Sequence, residues 1–122
     1  MLNLHRVLAI EVTRRTATPP MDFDPETWEA AAFDVFAGGA PTKYVLRFAS
    51  EVAPYVRERR WHPSQKLRGL SGGGVELQMT CAGSHEIMNW VASWRQWVVV
   101  VQPKSLRQEM AELGRWLVDR YR

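Results

Sequence analysis

Polar and apolar positions alternate, or short apolar runs occur, in five stretches of the chain, and both patterns are typical of β-strands. These stretches are residues 5–13, 42–49, 61–70, 74–82 and 96–102. In TKYVLRFA (42–49), Tyr44, Leu46 and Phe48 fall on one face, which predicts the core side of a strand. SGGG lies between two of the strands, whereas a phosphate-binding loop leads into a helix. It therefore predicts a hairpin turn.

Helical spacing of apolar residues follows four candidate start signals. The predicted first residues or caps are Asp24 (with Pro25 after it), Ser50, Ser84, and Ser105 with Gln108 as a capping box. The first helix is expected to span residues 25–37 and to end at Gly38-Gly39. The last carries Leu106, Met110, Leu113, Leu117 and Tyr121 on one stripe.

From residue 42 the predicted order is β-α-β-β-α-β-α. The predicted fold class is therefore α+β, a ferredoxin-like split βαβ with a C-terminal helix. An extra strand (5–13) and a helix (25–37) precede it. The last strand, WVVVV, is apolar on both faces yet lies at a sheet edge in this order, where exposed apolar surface promotes aggregation. We expect a neighbouring helix or a second subunit to cover it, and we favour a homodimer.

Composition limits the remaining options. The chain has 122 residues, 46% of them hydrophobic, and a net charge of +3. This indicates one mildly basic compact domain, compatible with an anionic partner. With a single cysteine, Cys81, no intrachain disulfide can form, so we expect a cytoplasmic protein. No apolar run reaches the roughly 18–20 residues of a membrane span, and the N-terminus lacks the features of a signal peptide.

Candidate catalytic chemistry is sparse. The three histidines, His5, His62 and His85, have no metal-ligand spacing, and no carboxylate pair stands out. Cys81 ends an alternating strand, the pattern of a core thiol. We therefore predict no enzyme activity, no metal and no cofactor. A small-molecule binder on a ferredoxin-like scaffold remains an alternative, and it would need a deep pocket with convergent polar groups.

Strand alternation places a polar, net basic set of side chains on the sheet face without helices. The predicted members are Lys43, Val45, Arg47, His62, Ser64, Lys66, Arg68, Glu76, Gln78 and Thr80. The face would suit an acidic ligand, a nucleic acid or a partner domain, although ordinary solvated faces look the same. It lacks the stacking aromatic residues of RNA-recognition domains. Most of the six tryptophans are expected to lie in the core or an interface.

Three stretches resemble one protein family. RFASEVAPYVRERRWHPSQKL, SGGGVELQMTCAG and VVVQPKSLRQEMAELGRWLVDRY are similar to the C-terminal extension, of WCX type, of WYL-domain transcriptional regulators. LNLHRVLAIEVT resembles the last strand of the WYL domain itself. The chain departs from the family at SWRQW, where relatives have a glycine-containing turn. The resemblance implies that residues 1–24 are a WYL tail strand and linker, and that residues 25–122 are the ferredoxin-like extension.

The resemblance also implies a function. Such extensions contribute to dimerisation and to control by an effector, which in some members is single-stranded nucleic acid. The DNA-binding domain and most of the WYL domain would lie outside this chain, either because it is a fragment or because it is a truncated member. The expected partners are a second copy, the WYL domain of the parent regulator, and single-stranded nucleic acid or a nucleotide. A purely structural dimer without ligand remains an alternative.

The stretch RERRWHPSQ supplies most candidate ligand contacts. The predicted ligand-binding residues are Arg47, Arg57, Arg59, Arg60, His62 and Gln65. Arginine can bind phosphate through two hydrogen bonds, a protonated histidine can donate, and an amide can recognise a polar edge. Arg59 is expected to pack beside Tyr55. Cations also suit a helix C-terminus without any ligand, so a solvated helix end is the competing interpretation.

Overall fold

The structure, a computed structural model, describes residues 4–31, 33 and 39–122. Its helices are α1 (Pro25–Ala31), α2 (Ala53–Glu58), α3 (Ser84–Ser93) and α4 (Lys104–Tyr121). Its strands are β1 (Thr42–Phe48), β2 (Lys66–Gly69), β3 (Val75–Cys81) and β4 (Val98–Gln102). Short 3₁₀ turns occupy Leu4–Arg6 and Arg95–Trp97. The predicted α+β class is confirmed.

The four strands form one antiparallel sheet in the order β2-β3-β1-β4. The register pairs Leu46 with Leu77 across the central β1 and β3, while β4 joins β1 with a bulge between Val45 and Leu46. The predicted hairpin is confirmed: β2 and β3 are joined by a tight turn in which the Leu70 N–H donates to the Gly74 carbonyl at 2.9 Å. Gly72 and Gly73 both have positive φ there, as a hairpin of this kind requires.

The core lies on one face of the sheet, where the helices pack. The alternation predicted for β1 and β3 is confirmed, because the inward side chains of both strands are buried. The buried set comprises Tyr44, Leu46, Phe48, Val75, Leu77, Met79 and Cys81, together with Val56, Ile87, Val91 and Leu106 from the helices. Burial raises the pKa of the Cys81 thiol to about 11, so at neutral pH it is a protonated core side chain.

The predicted strand over residues 5–13 is wrong. After the 3₁₀ turn at Leu4–Arg6 the backbone has no regular structure up to α1. The side chains that would form the inner face of a strand, Leu8, Ile10 and Val12, are 100%, 80% and 93% exposed. A strand is stable only when it pairs with a neighbour, and none of the described strands pairs with this segment.

Helix α1 begins as predicted. Asp24 caps it, because its carboxylate accepts hydrogen bonds from the backbone N–H groups of Glu26 and Thr27 at 3.2 and 3.3 Å. Residue 32 and residues 34–38 lie outside the described residues, and with them most of the predicted continuation to residue 37 and its end at Gly38. At Phe33 the predicted helix is wrong: this residue forms a β-bridge, is buried, and its N–H donates to the Ala82 carbonyl at 3.2 Å.

Three predicted helix caps are wrong by one or two residues. No side chain caps α2, α3 or α4, whose N-cap residues are Val52, Gly83 and Pro103. Ser50 instead donates to the adjacent Glu51 carboxylate. Gly83 has a φ of 93°, a conformation that favours glycine over serine. Backbone geometry therefore sets where these helices begin.

Two predicted strands are shorter than expected. Residues 61–65 form a turn instead of the first half of β2, and the 3₁₀ turn Arg95–Trp97 replaces the start of β4. Only the first part of the apolar stripe on the final helix is buried. Leu106 is buried and Met110 and Leu113 are half-buried, but Leu117 and Tyr121 are exposed.

Candidate functional site

The sheet face opposite the helices, called here the open face, is polar and net basic, as predicted. The register sets Arg47 and Arg68 on either side of Glu76 in neighbouring strands. The Glu76 carboxylate accepts hydrogen bonds from Arg47 Nε at 2.9 Å and Arg68 Nη2 at 3.1 Å, and Gln78 Nε2 lies 2.9 Å from its other oxygen. Lys43 and Lys66 complete the basic set and are exposed.

Glu76 is only 2% exposed, so its charge must be compensated by these partners. Hydrogen bonds from Arg47, then Gln78 and Arg68, lower the pKa of the Glu76 carboxyl to about 2. Charge on both arginines is therefore partly neutralised before any ligand arrives. Each guanidinium still has further N–H groups, because the ion pair uses only one nitrogen of each.

The depressed pKa predicts a pH dependence of stability. Glu76 stabilises the folded protein fully above its unfolded pKa of about 4.5, and this contribution is lost as the pH falls from there towards 2. We expect the urea midpoint of the wild type to drop across that window. In Glu76→Gln the midpoint should be lower at pH 7 and should change less between pH 4.5 and 2. Asp24, whose pKa the Thr27 hydroxyl lowers, is present in both proteins and cancels in the comparison. Parallel pH profiles would contradict the assignment.

Residues 57–65, called here the arginine turn, lead from α2 to β2. Gln65 holds this turn together: its side-chain oxygen accepts from the backbone N–H of Trp61 at 2.5 Å and of His62 at 3.2 Å. Its amide nitrogen donates to the Arg59 carbonyl at 3.4 Å. A side chain that satisfies two backbone donors in this way replaces strand pairing. This explains why residues 61–65 are not a strand.

The prediction that His62 and Ser64 lie on a strand of the open face is wrong, because both belong to the arginine turn, and His62 is only 3% exposed. His62 Nδ1 lies 2.7 Å from Ser64 Oγ and accepts from the Ser64 backbone N–H at 3.1 Å. The Ser64 hydroxyl in turn accepts from the Thr80 N–H at 2.9 Å. His62 and Ser64 together therefore link the arginine turn to the end of β3.

The three arginines of the turn have different surroundings. The Arg59 guanidinium lies 5.1 Å from the centroid of the Trp61 ring, and its packing beside Tyr55 stays a prediction. Arg60 Nη2 donates to the Pro63 carbonyl at 3.2 Å. Arg57 reaches towards β2, where its Nη2 would lie 3.6 Å from a side chain added at Gly69. All three are exposed.

A cavity of about 600 Å³ opens beside the arginine turn. The described residues that line it are Phe33, Arg59, Arg60, Trp61, Glu86, Asn89 and Trp90, and we call it the aromatic–arginine cavity. Of the six predicted ligand-binding residues, only Arg59 and Arg60 belong to it. Arg47 lies on the open face, and Arg57, His62 and Gln65 lie elsewhere in the turn. These six positions remain predictions as a ligand site.

The α3 residues of the cavity were missed by sequence reasoning. Glu86, Asn89 and Trp90 are spaced i, i+3 and i+4, so they share one helix face. This spacing could have shown from the sequence alone that the three residues share one surface of the helix. What the sequence could not show is that this face meets the arginine turn, about 30 residues earlier in the chain. Within the described part of the chain, no three His, Cys, Asp or Glu side chains come together as metal ligands would.

Comparison with known protein families shows to which family the chain belongs. The model of the WCX domain matches residues 40–118, which include the whole sheet, the arginine turn and most of α4. The chain belongs to the WCX family. WCX is a C-terminal domain of WYL-containing regulators, so the resemblance noted in the sequence is confirmed. No curated protein matches the chain. None of the described helices has the length and apolar composition needed to cross a membrane.

Proposed function

We propose that this WCX chain is a non-enzymatic regulatory module that assembles a WYL-containing transcription regulator into a dimer. In this proposal residues 25–122 form a ferredoxin-like domain, supported by the β-α-β-β-α-β element order and the strand order β2-β3-β1-β4. Residues 1–24 belong to the preceding WYL domain and its linker. Their exposure supports this, because an apolar segment such as Leu8–Val12 gains stability only where another sheet accepts it.

The observation that carries the dimer proposal is the uncovered apolar surface of α4. Its last two turns expose Trp116, Leu117, Val118 and Tyr121. Such large side chains cluster at the surface mainly where a partner binds. The helix packs against α3 and β4, and its buried and half-buried apolar side chains, Leu106, Met110 and Leu113, all precede these four residues.

The edge strand supports the same conclusion. Among the described residues β4 pairs only with β1, and Val99 on its open-face side is 63% exposed. An exposed apolar edge is a liability unless another chain covers it. A second copy offers the same edge and the same helix stripe, so a two-fold axis would bury both at once.

Light scattering on the purified chain tests the dimer. We expect a mass of twice 14.1 kDa at micromolar concentration. Trp116→Glu should raise the dimer dissociation constant about 30-fold or more, because buried tryptophans are typical interface hot spots. Gln108→Glu adds the same charge to an exposed polar position of α4 and should leave the dimer intact. A wild-type mass of 14.1 kDa at every concentration would refute self-association.

Control by an anionic effector is the second candidate function. Two observations favour it: the aromatic–arginine cavity, with Arg59 and Arg60 in its wall, and the basic open face with Arg47. The effector would be a nucleotide or single-stranded nucleic acid. Affinity for either should fall steeply with added salt, because cation contacts to phosphate release counterions. A dimer that binds no such ligand would leave only the structural role.

A further inference from the structure

The apolar wall of the aromatic–arginine cavity is a set of tryptophan and phenylalanine rings. Trp90 lies at its centre, 5.0 Å from the Trp61 ring and 5.3 Å from the Phe33 ring, with the planes inclined at 50° and 55°. Both tryptophans are partly exposed. The Trp61 ring is held in place because its Nε1–H donates to the Val56 carbonyl at 3.1 Å. A fixed and partly exposed indole surface can accept another planar ring by stacking.

Part of the cavity lining is cationic, because Arg59 and Arg60 both contribute to it. The Arg59 guanidinium lies over the Trp61 ring, and Arg60 is anchored to the Pro63 carbonyl by one of its five N–H donors. Neither guanidinium belongs to the ion pairs found among the described residues, in contrast to Arg47 and Arg68. A guanidinium group suits a phosphate group, whose oxygens accept paired N–H bonds.

The α3 part of the lining adds a carboxylate and an amide. Glu86 is partly buried and Asn89 exposed one helical turn away. A carboxylate disfavours a phosphate beside it and favours N–H donors on a ligand. The lining therefore offers three kinds of group: guanidinium groups for a phosphate, indole rings for a planar ring, and a carboxylate and an amide for a hydrogen-bonding edge.

We propose that the aromatic–arginine cavity binds a nucleotide, with its phosphate on Arg59 and Arg60, its base against Trp61 and Trp90, and the edge of the base at Glu86 and Asn89. This names the ligand class for the effector role proposed above and rests on that role. The volume of about 600 Å³ lies within the range of small-molecule sites.

Calorimetric titration of the 122-residue chain at low salt tests the proposal with GMP, AMP and UMP as probes. Guanosine and inorganic phosphate each lack one half of the ligand, so each should bind at least tenfold more weakly than GMP. Arg60→Gln should weaken GMP binding about tenfold or more. Lys104→Gln removes an exposed cation from α4, outside the cavity, and should change the affinity less than twofold.

A second pair of variants separates this cavity from the open face. Asn89→Ala should narrow the difference in affinity among the three nucleotides, whereas Lys43→Gln should leave every affinity unchanged. Equal binding of GMP and inorganic phosphate would overturn the base contact. Binding of a short oligothymidylate without any mononucleotide binding, or binding of no probe, would overturn the cavity as the site. Light scattering on the same samples measures dimerisation independently of nucleotide binding. A failure of the dimer proposal can therefore be distinguished from a failure of the nucleotide proposal.

Discussion

Replacing Phe48 with alanine is expected to lower the free energy of unfolding by about 3–5 kcal/mol. The ring is 2% exposed and lies on β1, the strand that pairs with both β3 and β4. It makes edge contacts with Trp94 at 5.2 Å and Trp90 at 6.0 Å. Truncation therefore removes both the buried area of a large ring and the contacts that join the sheet to α3.

Urea unfolding at a fixed protein concentration measures this loss, followed by the fluorescence of the tryptophans. Phe23→Ala serves as the matched control, because it removes the same ring from the segment before α1, where Phe23 is 49% exposed. We expect the control to change the unfolding free energy by about 0.5 kcal/mol or less. A loss below about 1 kcal/mol for Phe48→Ala would place the ring outside the core.

Gln65→Ala is expected to cost about 1–3 kcal/mol, a large effect for one polar side chain. The substitution removes the acceptor for the N–H groups of Trp61 and His62, which are partly buried and have no strand partner to turn to. The effect should extend to ligand binding. When the turn loosens, Arg59, Arg60 and Trp61 no longer keep a fixed spacing, so GMP affinity should fall together with stability.

Gln65→Glu provides the comparison, because it keeps an oxygen that can accept from both backbone N–H groups and replaces the amide nitrogen facing the Arg59 carbonyl with a second oxygen. Its unfolding free energy should lie closer to the wild type than that of Gln65→Ala. Both can be measured by the same urea titration. If alanine and glutamate cost the same, hydrogen bonds from the two backbone groups are not what holds the arginine turn.

The sequence predicts the sheet well wherever the evidence is local. Alternation along TKYVLRF and VELQMTC identifies β1, β3 and their buried faces, because burying one face of a strand imposes a period of two. The strand predictions fail where the structure of a segment depends on which other part of the chain it can pair with. Residues 5–13 have the composition of a strand, but the described sheet provides no partner for them. At residues 61–65, the Gln65 side chain takes the backbone N–H groups that a strand would have offered its neighbour.

The candidate site was only half predictable for the same reason. Arg59 and Arg60 stand out in the sequence because they are consecutive cations next to a tryptophan. The opposing wall, Glu86 to Trp90, looks like an ordinary amphipathic helix until the fold sets it against the arginine turn. Arg47 stays a prediction as a ligand contact. The strand register pairs its charge with Glu76, a contact that only knowledge of the β1–β3 pairing could reveal.

The order of the strands has a consequence for synthesis of the protein. β1 is central, yet both of its neighbours, β3 and β4, come later in the chain, and so do the α3 tryptophans that pack on Phe48. A nascent chain emerges from its N-terminus, so β1 leaves the ribosome with its apolar face uncovered. The sheet cannot close until Gln102 has been translated. Ribosome-bound chains that stop before β4 should therefore be the species that chaperones capture and proteases cut.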